Sequence, residues 1–240
     1  MKEFVYLDNA ATTKVRPEGV EAMLPYFTEI YGNASAVYDF GQKCKQAIED
    51  ARETIGSSIG TRASNIYFTA GGSESDNWAL KGVAEVYKDK GKHIITTKIE
   101  HHAILHTCAY LEQQGYEVTY LDVDADGLVS PEDVKKAIRP DTILISVMFA
   151  NNEIGTIEPI EEIGAIAHEH GILFHTDAVQ AYAQVPIDVE KMHIDLLSAS
   201  GHKLNGPKGI GFLYIRQGLK LKSFIHGGAQ ERKRRAGTEN

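Results

Sequence analysis

Lys203 is the residue in this chain best placed for covalent chemistry. It lies in Ser198-Ala-Ser-Gly-His-Lys-Leu-Asn-Gly-Pro-Lys-Gly209, where an apolar run from Asp195 to Ala199 stops at a turn of small residues. Ser200, Gly201 and Gly206 leave the backbone accessible, and the preceding run reads as a buried strand that holds the ε-amine partly out of bulk water. Partial desolvation and nearby cations lower a lysine pKa and free its lone pair, which is what Schiff-base formation with an aldehyde requires. In isolation the same residue reads as a solvated loop lysine, and it is the rest of the chain that reverses this.

Other segments offer matching groups. Gly71-Gly-Ser-Glu-Ser75, between a predicted strand and a predicted helix, supplies flexible backbone at Gly72, helix N-terminal amides and the Ser73 hydroxyl, all suited to a phosphate. It lacks the lysine of a P-loop and the GxGxxG spacing of a dinucleotide fold, and it also reads as an ordinary loop capped by Ser73 or Ser75. His101, in Glu100-His-His102, follows a strand ending at Thr97, where an imidazole can stack on a flat ligand and trade protons near neutral pH. Asn151-Asn-Glu-Ile-Gly155 places Asn152 beyond another strand, and His175-Thr-Asp-Ala-Val-Gln180 places Asp177 and Gln180 beyond a third. A carboxylate in a partly buried mouth needs a cation or donor, such as a protonated pyridine nitrogen; Asp177 reads alternatively as a helix N-cap.

The elements that must position these groups alternate. Strands are predicted at 65–69, 93–97, 116–121, 142–147, 172–175 and 195–199, most separated by helix-length periodic segments, including 42–59 and 74–88. Arg16-Pro17 opens a further helix with Val20, Met23 and Leu24 as its apolar positions. Such alternation predicts an α/β fold with a mostly parallel, doubly wound sheet. Gly209 to Ile215 follows the lysine turn with too little chain for a crossover helix, so one antiparallel strand is expected there. Residues 1–240 contain no internal repeat or linker and read as one large domain.

Twenty-five Lys+Arg against 33 Asp+Glu, a net charge of −8, argue against general binding to nucleic acid or a membrane surface. Two cysteines far apart, Cys44 and Cys108, indicate neither a disulfide framework nor a zinc ribbon, and no targeting or membrane-spanning run is visible. A reducing cytoplasm is the expected compartment. No metal is expected. His102 and His106 stand at i,i+4, but no third ligand is positioned beside them. Asp122-Val-Asp-Ala-Asp-Gly127 mimics a calcium loop, yet an alternating strand precedes it where a helix is required, so it reads as a turn before a helix capped by Ser130.

An amine, an acid, an imidazole, two amides and the phosphate donors Ser73, Ser200 and His202 are thus all expected at the C-terminal strand ends of one sheet, where open α/β folds bind ligands. Pyridoxal 5′-phosphate uses every one of them. At this point the sequence closely resembles the NifS-like cysteine desulfurases of the class V, fold-type I pyridoxal-phosphate enzymes. The matching segments are Tyr6-Leu-Asp-Asn-Ala-Ala-Thr-Thr13, Gly71 to Asn77, Glu100-His101, Asn151 to Gly155, His175 to Gln180, Ser200-Gly-His-Lys203, Gly206-Pro-Lys-Gly209 and Arg235-Ala-Gly-Thr-Glu-Asn240, in family order.

The resemblance implies that Lys203 holds the cofactor, Asp177 pairs with its ring nitrogen, and His101 stacks on the ring and moves protons. It further implies that Gln180 reaches the 3′-oxygen, that Asn152 lies beside cofactor and substrate, and that Gly72, Ser73, Ser200 and His202 hold the phosphate. Thr238 would reach the phosphate of a partner subunit, which implies a homodimer. The implied reaction takes L-cysteine to L-alanine with sulfur passing to an enzyme cysteine, and then to an acceptor or iron–sulfur scaffold protein. A selenocysteine lyase, an aminotransferase, or a non-catalytic cofactor-binding half that works with a partner chain are the alternatives. Asn33-Ala-Ser-Ala36 and Tyr38 depart from the family's Asn-Pro-Ser-Ser and following His. The family's small C-terminal domain, with its nucleophilic cysteine and carboxylate-binding arginine, is expected to be absent from these 240 residues, which would leave the chain unable to complete the reaction alone.

Overall fold

Alternation along the strands decides how the layers form. The computed structural model describes residues 4–240; Met1–Glu3, the start of the segment searched above for a targeting signal, lie outside the described residues. Helices α1 (Pro17–Met23), α2 (Pro25–Thr28) and α3 (Asp39–Ser58) precede β1 (Ile66–Thr69). There follow α4 (Gly72–Tyr87), β2 (His93–Thr97), α5 (His102–Gln113), β3 (Glu117–Leu121), α6 (Pro131–Ala137), β4 (Thr142–Ser146), α7 (Ile160–Glu169), β5 (Leu173–Asp177), β6 (Leu196–Ser200) and β7 (Gly211–Ile215). Successive strand side chains point to opposite faces. Ile94, Leu144, Leu196 and Leu213 therefore pack with Trp78, Leu80 and Val83 of α4 and Ile104 and Leu111 of α5. Their neighbours Ile95, Ile145, Leu197 and Tyr214 pack instead with Val134 of α6 and Ile163 and Ala167 of α7. Two apolar cores result, one on each face of the sheet.

The strand order is β1-β7-β6-β5-β4-β2-β3. The β2–β3, β2–β4, β4–β5 and β5–β6 pairs are parallel, and β7 runs antiparallel to both β1 and β6. This is the expected mostly parallel, doubly wound sheet with one antiparallel strand. Element ends move by a few residues. β5 reaches Asp177 and β6 reaches Ser200, because Asp177 pairs in register with Ser198 and Ser200 with Gly211.

The helix expected after Arg16-Pro17 is present as α1. Leu24 is followed by Pro25, which opens α2, and Val20 and Leu24 are 41% and 57% exposed. Its apolar face is uncovered among the described residues. The basic stretch 231–235 is pinned down. Glu231 accepts from both Arg52 guanidinium nitrogens at 2.7 and 3.0 Å and from the Phe68 amide at 3.0 Å, while Arg232 donates to the Ser64 and Ile66 carbonyls. With both ions buried and additional hydrogen bonds satisfying them, removing either partner would leave an uncompensated charge. The calcium-like loop is a turn: β3 enters it, Asp124 Oδ1 accepts the Asp126 and Leu128 amides at 2.9 Å, and Ser130 caps α6 through the Asp133 amide.

Candidate active site

Parallel strands deliver their C-terminal ends to one edge, and there a cavity of about 480 Å³ opens between β1, β4, β5 and β6. It is lined by Gly72, Ser73, His101, Asn152, Asp177, Gln180, Ser200, His202 and Lys203, which are nine of the ten residues singled out from the sequence. Thr238 is the exception. It is exposed and lies outside the lining.

Lys203 ends the short turn Gly201–Lys203 immediately after β6. Its Nζ donates to the Ala10 carbonyl and, at 3.0 Å, to that of Ala11. Burial holds the amine below the usual lysine range, against the opposing charges of Asp177 and Asp8. The segment bearing those carbonyls is fastened across the lysine turn by its backbone and hydroxyls. Thr13 donates from N and Oγ1 to the His202 carbonyl at 2.9 and 2.8 Å, and Gln180 Nε2 donates to Ala10 O at 3.0 Å. His202 Nδ1 lies 3.1 Å from the Thr12 hydroxyl; burial first, then Lys203 and Lys208, hold this imidazole below its ordinary value.

On the phosphate-like side, β1 passes into α4 through Gly71, whose φ of +144° suits glycine. A Cβ at Gly72 would lie 2.5 Å from Val179 Cγ2, so this position must stay bare to bring the α4 amides to the cavity. Glu74 fixes the turn. It accepts the Ala70 amide at 3.2 Å and is gripped by Arg235 at 2.8 and 3.3 Å. No side chain caps α4; Ser75 instead binds Thr69 Oγ1 and the Phe212 carbonyl, so the capping reading of this loop is set aside and Ser73 is left exposed at the cavity.

His101 is the N-cap of α5, its Nδ1 accepting the Ala103 amide at 3.1 Å. In the neutral ring the remaining proton therefore sits on Nε2. Asp177, 4% exposed, accepts the Val179 amide at 2.9 Å. Burial raises its pKa, while that hydrogen bond and the charges of His101 and Lys203 pull it back. Asn152 donates to Glu153 Oε1 at 3.0 Å. Asn151 is consumed by the turn, donating to the Ile99 carbonyl and accepting two amides.

Several lining residues escaped the sequence reading. Asp8, Ala10 and Ala11 enter from the N-terminal segment, Met148 and Ala150 follow β4, and Asp76 lies in the floor. Backbone carbonyls carry no residue-type signal. Asp76 did carry one, because Gly72, Ser75, Asp76, Ala79, Leu80 and Val83 share the buried face of α4. An acid on an otherwise apolar or small-residue face asks for explanation. Neither thiol lines the cavity: Cys44 is buried in α3 and donates to the Ile30 carbonyl at 3.2 Å, and burial pushes the Cys108 thiol up to about 12.

An amine whose pKa burial lowers, a buried acid, an imidazole and a glycine-lined helix start meet around one cavity at the C-terminal strand ends of an α/β sheet, where such folds bind ligands. The chain belongs to the aminotransferase class-V family, whose model matches residues 5–240. It is similar to the cysteine desulfurase IscS of Methanosarcina thermophila, 65% identical over 236 residues, 98% of this chain and 58% of that protein. It is also similar to the cysteine desulfurase IscS of Clostridium botulinum strain Hall, 59% identical over 240 residues, all of this chain and 60% of that protein. The chain thus spans about three fifths of the length of these relatives. Among solved structures, SspA in complex with cysteine superposes with a TM-score of 0.96 at 47% identity, covering 98% of this chain and 69% of that one. A NifS-like protein does so with the same score at 43% identity, covering 98% and 65%. The fold is that of the fold-type I cysteine desulfurases.

Proposed function

We propose that this chain is the cofactor-binding part of a pyridoxal-phosphate-dependent cysteine desulfurase. The observation that carries the reading is the meeting, in one cavity, of Lys203 after β6, Asp177 at the end of β5 and His101 at the start of α5. The names of the relatives and the cysteine complex of one solved neighbour support L-cysteine as substrate.

The residues fit the cofactor. Gly71 and Gly72 keep side chains out of the approach to α4, and the cavity volume is in the range that holds a small molecule. Ser73, Ser200, His202 and the α4 amides would hold its phosphate, Gln180 its 3′-oxygen, Asp177 its ring nitrogen and His101 its ring face. Lys203 would hold it covalently, and Asn152 would lie between cofactor and substrate. Bound there, the cofactor supplies an electron sink for a carbanion at the substrate Cα.

The chain's own residues do the rest. Lys203 Nζ, freed by the incoming substrate amine, stands as the base that takes the Cα proton, and its lowered pKa brings it closer to the neutral form such a base needs. His101 Nε2–H is available to move a proton at the substrate side of the ring. The balanced reaction is L-cysteine plus a protein thiol giving L-alanine plus a persulfide, the thiolate attacking the substrate sulfur. Cys44 and Cys108, buried away from the cavity, supply no such thiol. The proposal further includes a homodimer in which Thr238 reaches the partner's phosphate site, a cytoplasmic location, and transfer of sulfur to an acceptor or iron–sulfur scaffold protein. No helix among the described residues is long and apolar enough to cross a membrane.

Product analysis tests the proposal. Supplied with pyridoxal 5′-phosphate and an external thiol, the protein should exchange the Cα hydrogen of L-cysteine with solvent and form alanine in preference to turnover of selenocysteine or amino transfer to a 2-oxo acid. Cys44→Ser and Cys108→Ser should leave that exchange unchanged. Amino transfer as the dominant reaction would replace desulfuration as the assignment.

A further inference from the structure

The cavity that holds Asp177 is lined by a second acid that the mechanism above does not use. Asp76, on the buried face of α4, is 1% exposed and lines the same cavity. Its Oδ1 is fully enclosed and has no hydrogen-bond partner among the described residues. The basic group beside it is His175 of β5, whose Nε2 lies 3.7 Å from that oxygen. Both His175 nitrogens are already engaged by hydroxyls, Nδ1 with Ser146 at 2.9 Å and Nε2 with Ser198 at 3.0 Å. The ring is wholly buried, and burial pulls its pKa down to about 3, so it is neutral and offers Asp76 no charge.

Asp177 is situated differently. It accepts the Val179 amide and faces the His101 imidazole and the Lys203 amine. Glu100, from the turn after β2, is a third enclosed acid: Oε1 accepts the Thr97 hydroxyl at 2.9 Å and the Met148 amide at 2.8 Å, and Oε2 has no partner. The ionisable groups acting on Asp76 and Asp177 are therefore His175 from β5, Glu100 and His101 beside α5, and Lys203 after β6. Carboxylates crowded into one poorly solvated site do not all ionise. Asp76 lacks both an amide donor and a cation and has only the Ser198 hydroxyl in support of its charged form, so the proton goes to it.

We infer that Asp76 stays protonated beside an ionised Asp177, so that the two cavity-lining acids together present one negative charge. Burial first, and the neighbouring Asp177 charge second, raise the Asp76 carboxyl well above the usual range, in keeping with that geometry. The consequence rests on the cofactor reading: one negative charge matches one protonated ring nitrogen, whereas an ionised Asp76 would add a second, uncompensated anion in a desolvated site. Burial raises the Glu100 carboxyl to about 8 as well, against the Met148 amide and the Thr97 hydroxyl that favour its charged form.

The test has two arms that fail separately. First, infrared difference spectra of the cofactor-free protein with carbon-13-labelled aspartate, wild type against Asp76→Asn, should show a protonated-carboxyl band in the wild type that the variant lacks. Absence of that band near neutral pH overturns the inference, whatever the cofactor is. Second, Asp76→Asn should bind pyridoxal 5′-phosphate with wild-type affinity and wild-type absorbance, while Asp177→Asn loses on the order of tenfold or more. A loss in Asp76→Asn equal to that in Asp177→Asn overturns it too, because Asp76 would then be contributing charge. Should wild type itself not bind the cofactor, the cofactor reading fails and the infrared arm still decides the proton. Asp76→Ser, neutral and smaller, replaces the amide variant in both arms if the latter does not fold.

Discussion

The rim and the floor of the cavity are built on opposite terms. At the rim, Ser73 and His101 are exposed and Lys203 and Gln180 partly so, each a few residues past a strand end, free to meet a ligand. In and under the floor, Asp76 and Asp177, which line the cavity, and Glu100 and His175, which do not, are all buried, and oxygens of Asp76 and Glu100 lack partners among the described residues. A rim group acts by contact and is replaceable without disturbing the sheet. A floor group acts through charge in a desolvated place, so its protonation matters more than its reach.

Removing the amine at the rim should have the largest effect. Lys203→Ala should slow Cα-hydrogen exchange of L-cysteine by about 10²- to 10⁴-fold, the range expected for loss of a positioned base, with unchanged thermal unfolding. Exchange at the wild-type rate would move the base elsewhere. Asp177 joins rim and floor. Asp177→Ala should weaken cofactor binding by about 1.5–3 kcal/mol, the worth of a hydrogen bond to a charged group, and disfavour the protonated ring; Asp177→Asn, which keeps the shape, separates charge from packing. Wild-type affinity and absorbance in both variants would reduce Asp177 to a cap of the Val179 turn.

Smaller effects sharpen the contrast. Gly72→Ala drives a methyl into Val179 Cγ2 and should cost about 1–3 kcal/mol of stability along with cofactor affinity. Val179→Ala should restore much of both in the double variant, and failure of that rescue would mean that the glycine serves the backbone alone. In the floor, Glu100 has a folded-state pKa raised to about 8 from an ordinary 4.5. The folded state therefore holds the extra proton: its stabilising effect is complete below the ordinary carboxyl range and is lost as pH rises through about 8, with a slope of up to about 1.4 kcal/mol per pH unit. Urea unfolding across this range should show that decline in wild type and a flatter profile in Glu100→Gln. His175, depressed to about 3, works in the opposite direction and costs stability as pH falls below about 6.5.

The rim was legible in the sequence and most of the floor was not, for a physical reason. Lys203, His101, Asn152 and Gln180 follow apolar runs and break the strand pattern, so residue type and place together announce them. The sheet was legible in the same way, including the reversal at β7, because Gly209 to Ile215 leaves no room for a crossover. Asp76 sits inside a helical pattern where an acid reads as a polar face until the burial of Ala79, Leu80 and Val83 on the same side is noticed. The carbonyls of Ala10 and Ala11 are invisible to any reading of side chains, although they hold Lys203. The α1 helix was legible too, opening at Pro17 as expected; what its period did not show is that Val20 and Leu24 on its apolar face stay partly exposed.

The central claim is that Lys203 alone carries the cofactor, and borohydride reduction of the protein mixed with pyridoxal 5′-phosphate, followed by peptide mapping, tests it most directly. Lys203 lines the cavity beside Asp177, whereas Lys208, five residues on, does not line it. A single pyridoxyl adduct on Lys203, lost in Lys203→Ala, is the predicted result; an adduct on Lys208 in its place would contradict the account.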